Sequence, residues 1–277
     1  MHSTVIFLTL AFLSCSENEK APADNFSYEL GRPEHIYIMP KALKEISGIS
    51  YLSENKLACI EDNHGIVYIY DLKKEKIIRE VPFEDNGDFE DVSITPQGYC
   101  VLRSDGTIFI LNEEKIIAYK TLLKESNNTE GLCYDKKNNS LLIACKDDPG
   151  MGLPTNVKAV YEFSLANFTC SPKPLFTIAT DDIVLPKHQK NFEGDGSHFS
   201  PSALAIHPLT GNIFMISSRG NLLIEADRTG KIIHAEKIYS KLFPQPEGIC
   251  FTVEGDLLIS SEGKEHQHGT ILRFKQK

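Results

Sequence analysis

Acidic residues recur at one position of a short phrase that this chain repeats. The clearest copy is Pro246-Glu247-Gly248-Ile249-Cys250-Phe251, and related copies contain Glu130 and the pair Glu90-Asp91. Carboxylates that converge in a protein raise one another's pKa unless a cation or a basic side chain neutralises them. Calcium, which accepts roughly six to eight oxygen ligands in irregular geometry, suits such a set. We therefore expect Glu90, Asp91, Glu130 and Glu247 to be candidate calcium ligands.

A structural role for the same acidic residues stays open. Each carboxylate could accept hydrogen bonds from backbone N–H groups of the neighbouring repeat, as a device that is copied with the repeat. A carboxylate bonded in this way would not be available to a metal ion.

A second set of charged residues lies beside the repeated phrase or follows the second apolar segment of a repeat. Its members are Glu45, Asp62, Arg103, Lys146, Arg219 and Glu262. These charges predict salt bridges between repeats or, through their basic members, a site for an anionic group. Glu193 belongs to segment 191–198, where glycines alternate with acidic residues, and this segment predicts either calcium ligands or a lid. We assign all seven residues to a ligand site.

The repeat also predicts the elements that position these residues. Each copy alternates apolar and polar residues as a β-strand does, and turns and further short strands follow it. A supersecondary unit copied in this way predicts an all-β fold, a β-propeller of four-stranded blades. The phrase then forms the innermost strand of each blade, and its acidic residues lie at one mouth of a central channel.

The number of blades follows from counting strands along the chain. Four units are complete, the fifth ends one strand short, and His35–Met39 is a strand without a nearby partner. We expect this N-terminal strand to close the last blade, because closure removes exposed sheet edges. Five blades are favoured. Six stay possible, since the interval from Glu130 to Ser202 is long enough to hold another blade.

The N-terminus predicts export. Val5–Leu13 is apolar and too short to span a bilayer, as in the core of a signal peptide. Leu13-Ser14-Cys15-Ser16 resembles the lipobox of bacterial lipoproteins, which implies cleavage before Cys15 and lipidation of its thiol. We expect residues 1–14 to be a lipoprotein signal peptide, 15–33 a flexible tether and 34–277 a single propeller domain. The alternative is an ordinary signal peptide in which Cys15 is incidental.

Composition and the absence of certain motifs restrict the partners and chemistry that the sequence predicts. The formal net charge is −9 and no basic cluster is present, so we expect no nucleic-acid partner. The remaining cysteines lie in apolar strands or at equivalent repeat positions, which indicates buried free thiols rather than disulfides. Neither a Gly-x-x-x-x-Gly-Lys phosphate loop nor a Gly-x-Ser-x-Gly nucleophile motif is present, so we assign no catalytic residue. We expect a monomer.

The blade openings resemble those of the SdiA-regulated family. The resemblance rests on Lys44-Glu45-Ile46-Ser47-Gly48-Ile49, Asp88-Phe89-Glu90-Asp91, Asn128-Thr129-Glu130-Gly131-Leu132 and Pro246-Glu247-Gly248-Ile249. It implies an exported bacterial β-propeller, often a lipoprotein, without an agreed biochemical activity. Unit four departs from the pattern, because Pro201-Ser202-Ala203 stands where a Glu-Gly or Ser-Gly pair is expected. The acidic stretch after Cys15 resembles the surface-export signals of Bacteroidetes lipoproteins, so we expect a place in the cell envelope, on either side of the outer membrane.

These expectations combine into a lipid-anchored propeller that binds a small-molecule or protein ligand at its channel mouth, together with Ca²⁺. The alternative is a metal-dependent hydrolase of the phosphoesterase or lactonase type, in which Glu90, Glu130 or Glu247 would serve as metal ligand or base. A structural subunit of a larger envelope assembly is a third interpretation.

Overall fold

A computed structural model of the chain describes residues 26–53, 55–185, 198–264 and 267–277. Its strands, in chain order, are β1 (His35–Ile38), β2 (Ile46–Ser53), β3 (Lys56–Glu61), β4 (His64–Asp71), β5 (Lys76–Asn86), β6 (Phe89–Thr95), β7 (Gly98–Arg103), β8 (Thr107–Leu111), β9 (Ile116–Lys120), β10 (Thr129–Asp135), β11 (Ser140–Cys145), β12 (Val157–Ser164), β13 (Thr169–Cys170), β14 (Phe176–Ala179), β15 (Ala203–Ile206), β16 (Ile213–Ser217), β17 (Leu222–Ala226), β18 (Ile232–Lys237), β19 (Pro246–Phe251), β20 (Leu257–Ser261) and β21 (Thr270–Phe274). Three short 3₁₀ turns lie at Lys41–Leu43, Glu125–Asn127 and Thr180–Asp182.

The strands form five antiparallel sheets, and each sheet is one blade. Blade 1 is β2–β5, blade 2 is β6–β9, blade 3 is β10–β14, blade 4 is β15–β18, and blade 5 is β19–β21 with β1. The first strand of each blade contacts that of the next blade, and β19 contacts β2, so the inner strands form a closed ring. The prediction of an all-β propeller is confirmed.

The N-terminal strand closes the last blade, as the strand count predicted. β1 pairs with β21 in antiparallel register, from His35 opposite Arg273 to Ile38 opposite Thr270. Strands from the two ends of the chain therefore complete one sheet, which covers the edge that β21 would otherwise expose.

The six-bladed alternative is wrong. In the long interval that suggested a sixth blade, the described residues add no further sheet, because β13 and β14 both pair with β12 of blade 3. The outer edge of blade 3 is therefore split into two short strands.

Alternating side chains of each blade pack against the neighbouring blades. The buried apolar residues form five clusters, and each cluster is shared by two adjacent blades. The cysteines follow this pattern: Cys59, Cys100, Cys133, Cys145 and Cys250 are buried, and Cys170 is partly buried. All six are free thiols, as expected.

Part of the segment that was expected to be a tether packs on the propeller. Phe26, Tyr28 and Leu30 are buried in the cluster between blades 4 and 5. The Tyr28 hydroxyl donates to the Gly255 carbonyl at 2.6 Å and lies 2.9 Å from Nε2 of His207. The polar composition of the segment predicted a tether, although apolar residues alternate within it. Burial of these apolar side chains stabilises the folded protein.

The glycine of the repeated phrase lies where neighbouring inner strands approach closely. A Cβ on Gly131 would lie 2.9 Å from the backbone nitrogen of Leu204 in blade 4, and one on Gly248 would lie 2.6 Å from the Ser47 carbonyl oxygen in blade 1. Both separations are shorter than van der Waals contact, so these positions require glycine. No described segment is a helix long and apolar enough to cross a membrane.

Candidate binding site at the channel mouth

Three of the predicted acidic residues lie in β-bulges. Glu90, Glu130 and Glu247 are each the second residue of an inner strand. The register with the adjacent strand shifts between the residues on either side of each glutamate, so that the glutamate has no partner in the ladder. A bulge re-aims the side chain of its extra residue. The repeated phrase therefore encodes a bulge that brings one glutamate from each of blades 2, 3 and 5 to the channel mouth.

The three glutamates surround a single ammonium group. Nζ of Lys146, the residue that follows β11, lies 2.7 Å from Oε1 of Glu130. Both side chains are largely buried, and Lys146 also interacts electrostatically with Glu90 and Glu247. Asn128 donates a further hydrogen bond to Glu130 at 3.1 Å. Three ionised carboxylates would outnumber the one ammonium of this cluster, so full ionisation of the cluster is opposed.

Burial and mutual repulsion perturb the titration of all three carboxylates. Burial, followed by the charge of Glu130, holds the pKa of Glu90 well above its usual range. Burial raises the pKa of Glu247 to about 7, despite the opposing effect of Lys146. Burial also raises the pKa of Glu130, although Lys146 partly offsets that effect. No residue that the structure describes donates a hydrogen bond to the Glu90 carboxylate, whose charge is therefore the least compensated of the three.

A chain of polar contacts leads from this cluster to the rim at blades 3 and 4. Asn128 bridges Glu130 and Asp147, with Nδ2 3.0 Å from Oδ2 of Asp147. Asp147 pairs at 2.6 Å with Nη1 of Arg219, a residue that follows blade 4's second strand. On the same rim, Nζ of Lys158 donates to the Lys146 carbonyl at 2.6 Å.

The opposite rim, at blades 5 and 1, is acidic. Carboxylate oxygens of Glu45, Glu61 and Asp62 lie within 4.8 Å of one another. Burial and the neighbouring carboxylates raise the pKa of Asp62 to about 6 and also raise the pKa of Glu262. A cavity of about 580 Å³ opens beside this rim, and Glu45 and Glu262 are among its lining residues.

Glutamine and histidine side chains engage part of the acidic rim. Gln245 hydrogen-bonds to both Glu247 and Glu262, and so links the central cluster to the rim. Oε1 of Glu61 lies 2.7 Å from Nδ1 of His64. Glu61 is therefore occupied by its own turn. The Asn63 amide donates to Glu45 at 3.2 Å and to Asp62 at 2.6 Å, and both of these acidic residues are partly exposed.

Asp91 and Arg103 lie outside the cluster. The buried carboxylate of Asp91 accepts hydrogen bonds from the backbone N–H groups of Val92 at 2.8 Å and Leu132 at 2.7 Å. Asp91 thus links blade 2 to blade 3, which is the structural role left open for the repeated acids. Arg103 pairs with Asp105 at 2.8 Å, within its own blade, and lies over the Phe109 ring. Glu193 and Cys15 lie outside the described residues.

The geometry adds three residues that the sequence had not marked as site residues: Asn128, Lys158 and Gln245. Asn128 has a left-handed backbone conformation, with φ of 47°, that closes the turn before β10. The position of Asn128 directly before the repeated phrase is the sequence feature that could have identified it as a site residue. Lys158 lies in β12, where nothing local distinguishes it from an exposed strand residue.

The other end of the channel has a different character. A cavity of about 260 Å³ lies between the five inner strands, and most of its lining is apolar, including Tyr51, Ile94 and Phe251. The close approach of the inner strands at Gly48, Gly131 and Gly248 lies between this cavity and the acidic mouth. The channel therefore has one charged end and one apolar end.

Comparison with known proteins identifies the family and the fold. The model of the SdiA-regulated family matches residues 34–265. No curated protein sequence matches the chain. Among solved structures, glutaminyl cyclase from Myxococcus xanthus is 12% identical, with a TM-score of 0.57 and with 88% of this chain and 95% of that chain covered. A chain of the mitotic checkpoint complex is 11% identical, with a TM-score of 0.51 and 99% of both chains covered.

A streptogramin B lyase is also similar, at 11% identity and a TM-score of 0.48. The similarity covers 82% of this chain but only 65% of the lyase, so the chain spans slightly less than two thirds of that protein. At these identities the likeness concerns the propeller fold alone.

Proposed function

The chain belongs to the SdiA-regulated family, and we propose that it is a lipid-anchored, exported β-propeller that binds a ligand at its channel mouth together with Ca²⁺. The anchor is proposed from Val5–Leu13 and Cys15, which lie outside the described residues. The proposed location is the cell envelope, at the outer membrane, with the propeller acting as a monomer.

One observation carries the binding proposal. The bulged glutamates of blades 2, 3 and 5 share a single buried ammonium, that of Lys146. Burying unpaired charge is costly, and a carboxylate without a partner takes up a proton or a cation instead. A cation that binds here is stabilised by charge that the fold has already brought together. The mouth is therefore proposed as a cation-binding site.

The donor set suits Ca²⁺. Carboxylate oxygens are hard ligands, and calcium tolerates irregular geometry that water completes. Glu90 and Glu247 are the proposed ligands, because Lys146 and Asn128 already engage Glu130 and the backbone engages Asp91, whereas Glu247 is bonded to one neutral amide, that of Gln245. A bound Ca²⁺ would supply positive charge that neutralises the two carboxylates and attracts an anionic ligand group.

Binding is proposed here rather than hydrolysis. A hydrolytic metal centre needs several oxygen ligands on one ion and an open position for water. Glu90 and Glu247 offer an ion two carboxylates and leave the rest of its shell to water, so they do not supply the several protein ligands of a hydrolytic centre. Among the described residues, the one group of three acidic side chains with ligand atoms within 4.8 Å is Glu45, Glu61 and Asp62. His64 already engages Glu61 within that group.

Calcium titration tests the proposal. In metal-free protein, we expect Ca²⁺ to raise the melting temperature by several degrees at about 100 times its Kd, because a ligand that binds only the folded state stabilises it. The double variant Glu90→Gln/Glu247→Gln should lose this shift. Glu113→Gln, which alters an exposed glutamate in the β8–β9 turn, should keep it.

Elemental analysis and calorimetry complete the test. The calcium proposal would be contradicted if the wild-type protein contains no metal and if neither chelator nor added Ca²⁺ changes its melting temperature. A shift that persists in the double variant would place the ion elsewhere.

A further inference from the structure

On the rim at blades 3 and 4, two cations, Lys158 and Arg219, lie beside one shared carboxylate. This carboxylate, that of Asp147, interacts electrostatically with both. Arg219 is bonded to Asp147 through Nη1 at 2.6 Å. Glu130 does not compensate them, because Lys146 pairs with it at 2.7 Å. This pair of cations therefore retains a surplus of one positive charge.

Both cations have hydrogen-bond donors to spare. The Lys158 ammonium has three N–H donors and makes a single hydrogen bond to a described residue, the Lys146 carbonyl. Arg219 has five N–H donors, and its side chain is 55% exposed. Burial and the nearby charge of Arg219 lower the pKa of Lys158, which indicates two like charges in proximity. A further anion on this rim would relieve that repulsion.

The two cations adjoin the proposed cation site. Lys158 is bonded to the backbone of Lys146, whose ammonium interacts with Glu90 and Glu247. Arg219 reaches the same cluster through Asp147 and Asn128. Within one mouth, the fold therefore sets a pair of cations that shares one carboxylate beside three carboxylates that share one ammonium.

We propose that Lys158 and Arg219 form an anion subsite, and that the ligand is a small molecule with a carboxylate group that binds there. The planar fork of arginine matches a carboxylate in geometry. The surplus of one positive charge matches a monoanion better than a phosphate dianion. The inference rests on the proposed function, since the cation at Glu90 and Glu247, either Ca²⁺ or the ligand's own ammonium, lies beside this carboxylate.

Matched probes on one carbon skeleton test the subsite. Calorimetry would compare propionate with Ca²⁺, propionate with chelator, and β-alanine with chelator. We expect β-alanine with chelator, or propionate with Ca²⁺, to bind at least about tenfold more tightly than propionate with chelator, because the acidic cluster repels an uncompensated anion. Tighter binding with Ca²⁺ identifies the ion as the cation, and tighter binding of β-alanine identifies the ligand's ammonium.

Two variants separate the subsite from the cation site. Arg219→Gln and Lys158→Met should each weaken binding of the carboxylate probe by at least about tenfold and should not weaken Ca²⁺ binding, because each removes a positive charge near the cation site. Arg79→Gln and Lys120→Met, on the exposed outer strands β5 and β9, are the matched controls and should bind as wild type. Melting curves of all four variants, and retained Ca²⁺ binding in the first pair, show that the variants fold.

The outcomes distinguish this inference from the proposed function. If Ca²⁺ binds but neither carboxylate probe does, or if both Arg219→Gln and Lys158→Met bind the probes as wild type, the anion subsite is wrong and the calcium proposal stands. If β-alanine binds in an Arg219-dependent manner and Ca²⁺ does not bind, the subsite stands and calcium is the wrong cation.

Discussion

At the scale of single residues, Glu90 and Asp91 show how neighbours in sequence acquire opposite roles. Asp91 is bonded to two backbone N–H groups and holds blade 2 against blade 3. Glu90, one position earlier, lies in the bulge, and its partly buried carboxylate faces the charges of Glu130, Asp88, Lys146 and Glu247. The bulge aims the two side chains differently, so one acid stabilises the fold and the other is available to a ligand.

Glu90 predicts a pH dependence of stability. Its pKa is raised in the folded protein, so the protonated form is favoured there, and the cation-free protein should lose stability as pH rises above the usual glutamate value of about 4.3. Glu90→Gln should remove much of this loss and raise the melting temperature by about 3 °C or more at pH 8.5, with little effect at pH 4. Melting curves across pH, with Glu113→Gln as control, measure it. A Glu90→Gln profile parallel to wild type would contradict the assignment.

At the scale of elements, the inner strand combines close packing with connections between blades. The glycines of the phrase let adjacent inner strands meet, and side chains join the strands across the gaps. Ser202 donates to the Pro246 carbonyl at 2.8 Å, and Ser260 donates to the Ser47 carbonyl at 2.7 Å. The copy of the phrase in blade 4, which lacks the glutamate, therefore still supplies a contact between blades.

Substitutions of Asp91 measure how much one such connection between blades contributes to the free energy of unfolding. Asp91→Ala leaves the N–H groups of Val92 and Leu132 without their acceptor, and a buried donor without a partner costs about 1–3 kcal/mol. We expect denaturant unfolding to show a loss of about 2–5 kcal/mol for Asp91→Ala and a smaller loss for Asp91→Asn, which keeps one acceptor oxygen. Asp85→Ala, on the exposed face of β5, should change stability little. Equal values for Asp91→Ala and Asp85→Ala would contradict the proposed connection.

At the scale of the whole molecule, ring closure is what converts the repeat into a site. Five inner strands that contact one another in sequence bring residues from distant parts of the chain to one mouth. Asp147 and Arg219, which are 72 residues apart, meet at 2.6 Å. The same ring gives the molecule a charged end and an apolar end, so the two ends suit different chemistry.

Closure also predicts the effect of truncation. A chain that begins at residue 40 would lack β1 and the buried Phe26 and Tyr28, leaving β21 as an exposed edge. Compared with a chain that begins at residue 26, we expect a lower melting temperature and concentration-dependent association, because exposed strand edges pair with other chains. Calorimetry and size-exclusion chromatography measure both effects. If the truncated protein has the same melting temperature as the longer chain and stays monomeric, the fifth blade needs no closing strand.

The sequence alone was sufficient for features that depend on local pattern. The alternation of apolar residues marked the strands, the repeat favoured five blades, and the missing strand pointed to His35–Met39. The placing of Glu90, Glu130 and Glu247 at inner-strand openings followed from the same repeat. These features were predictable because each blade carries its own copy of the pattern. The six-bladed alternative remained open, because the split edge strand of blade 3 has no counterpart in the other copies.

Only the tertiary structure decided which charges meet. It placed Lys146 among three glutamates, directed Asp91 to the backbone and Arg103 to Asp105, and set Lys158 and Arg219 beside one carboxylate. Such contacts depend on the bulge geometry and on the closure of the ring, which join residues far apart in the chain. A residue's type and spacing therefore marked it as a candidate, and its neighbours in space determined whether it holds the fold together or is available to bind a ligand.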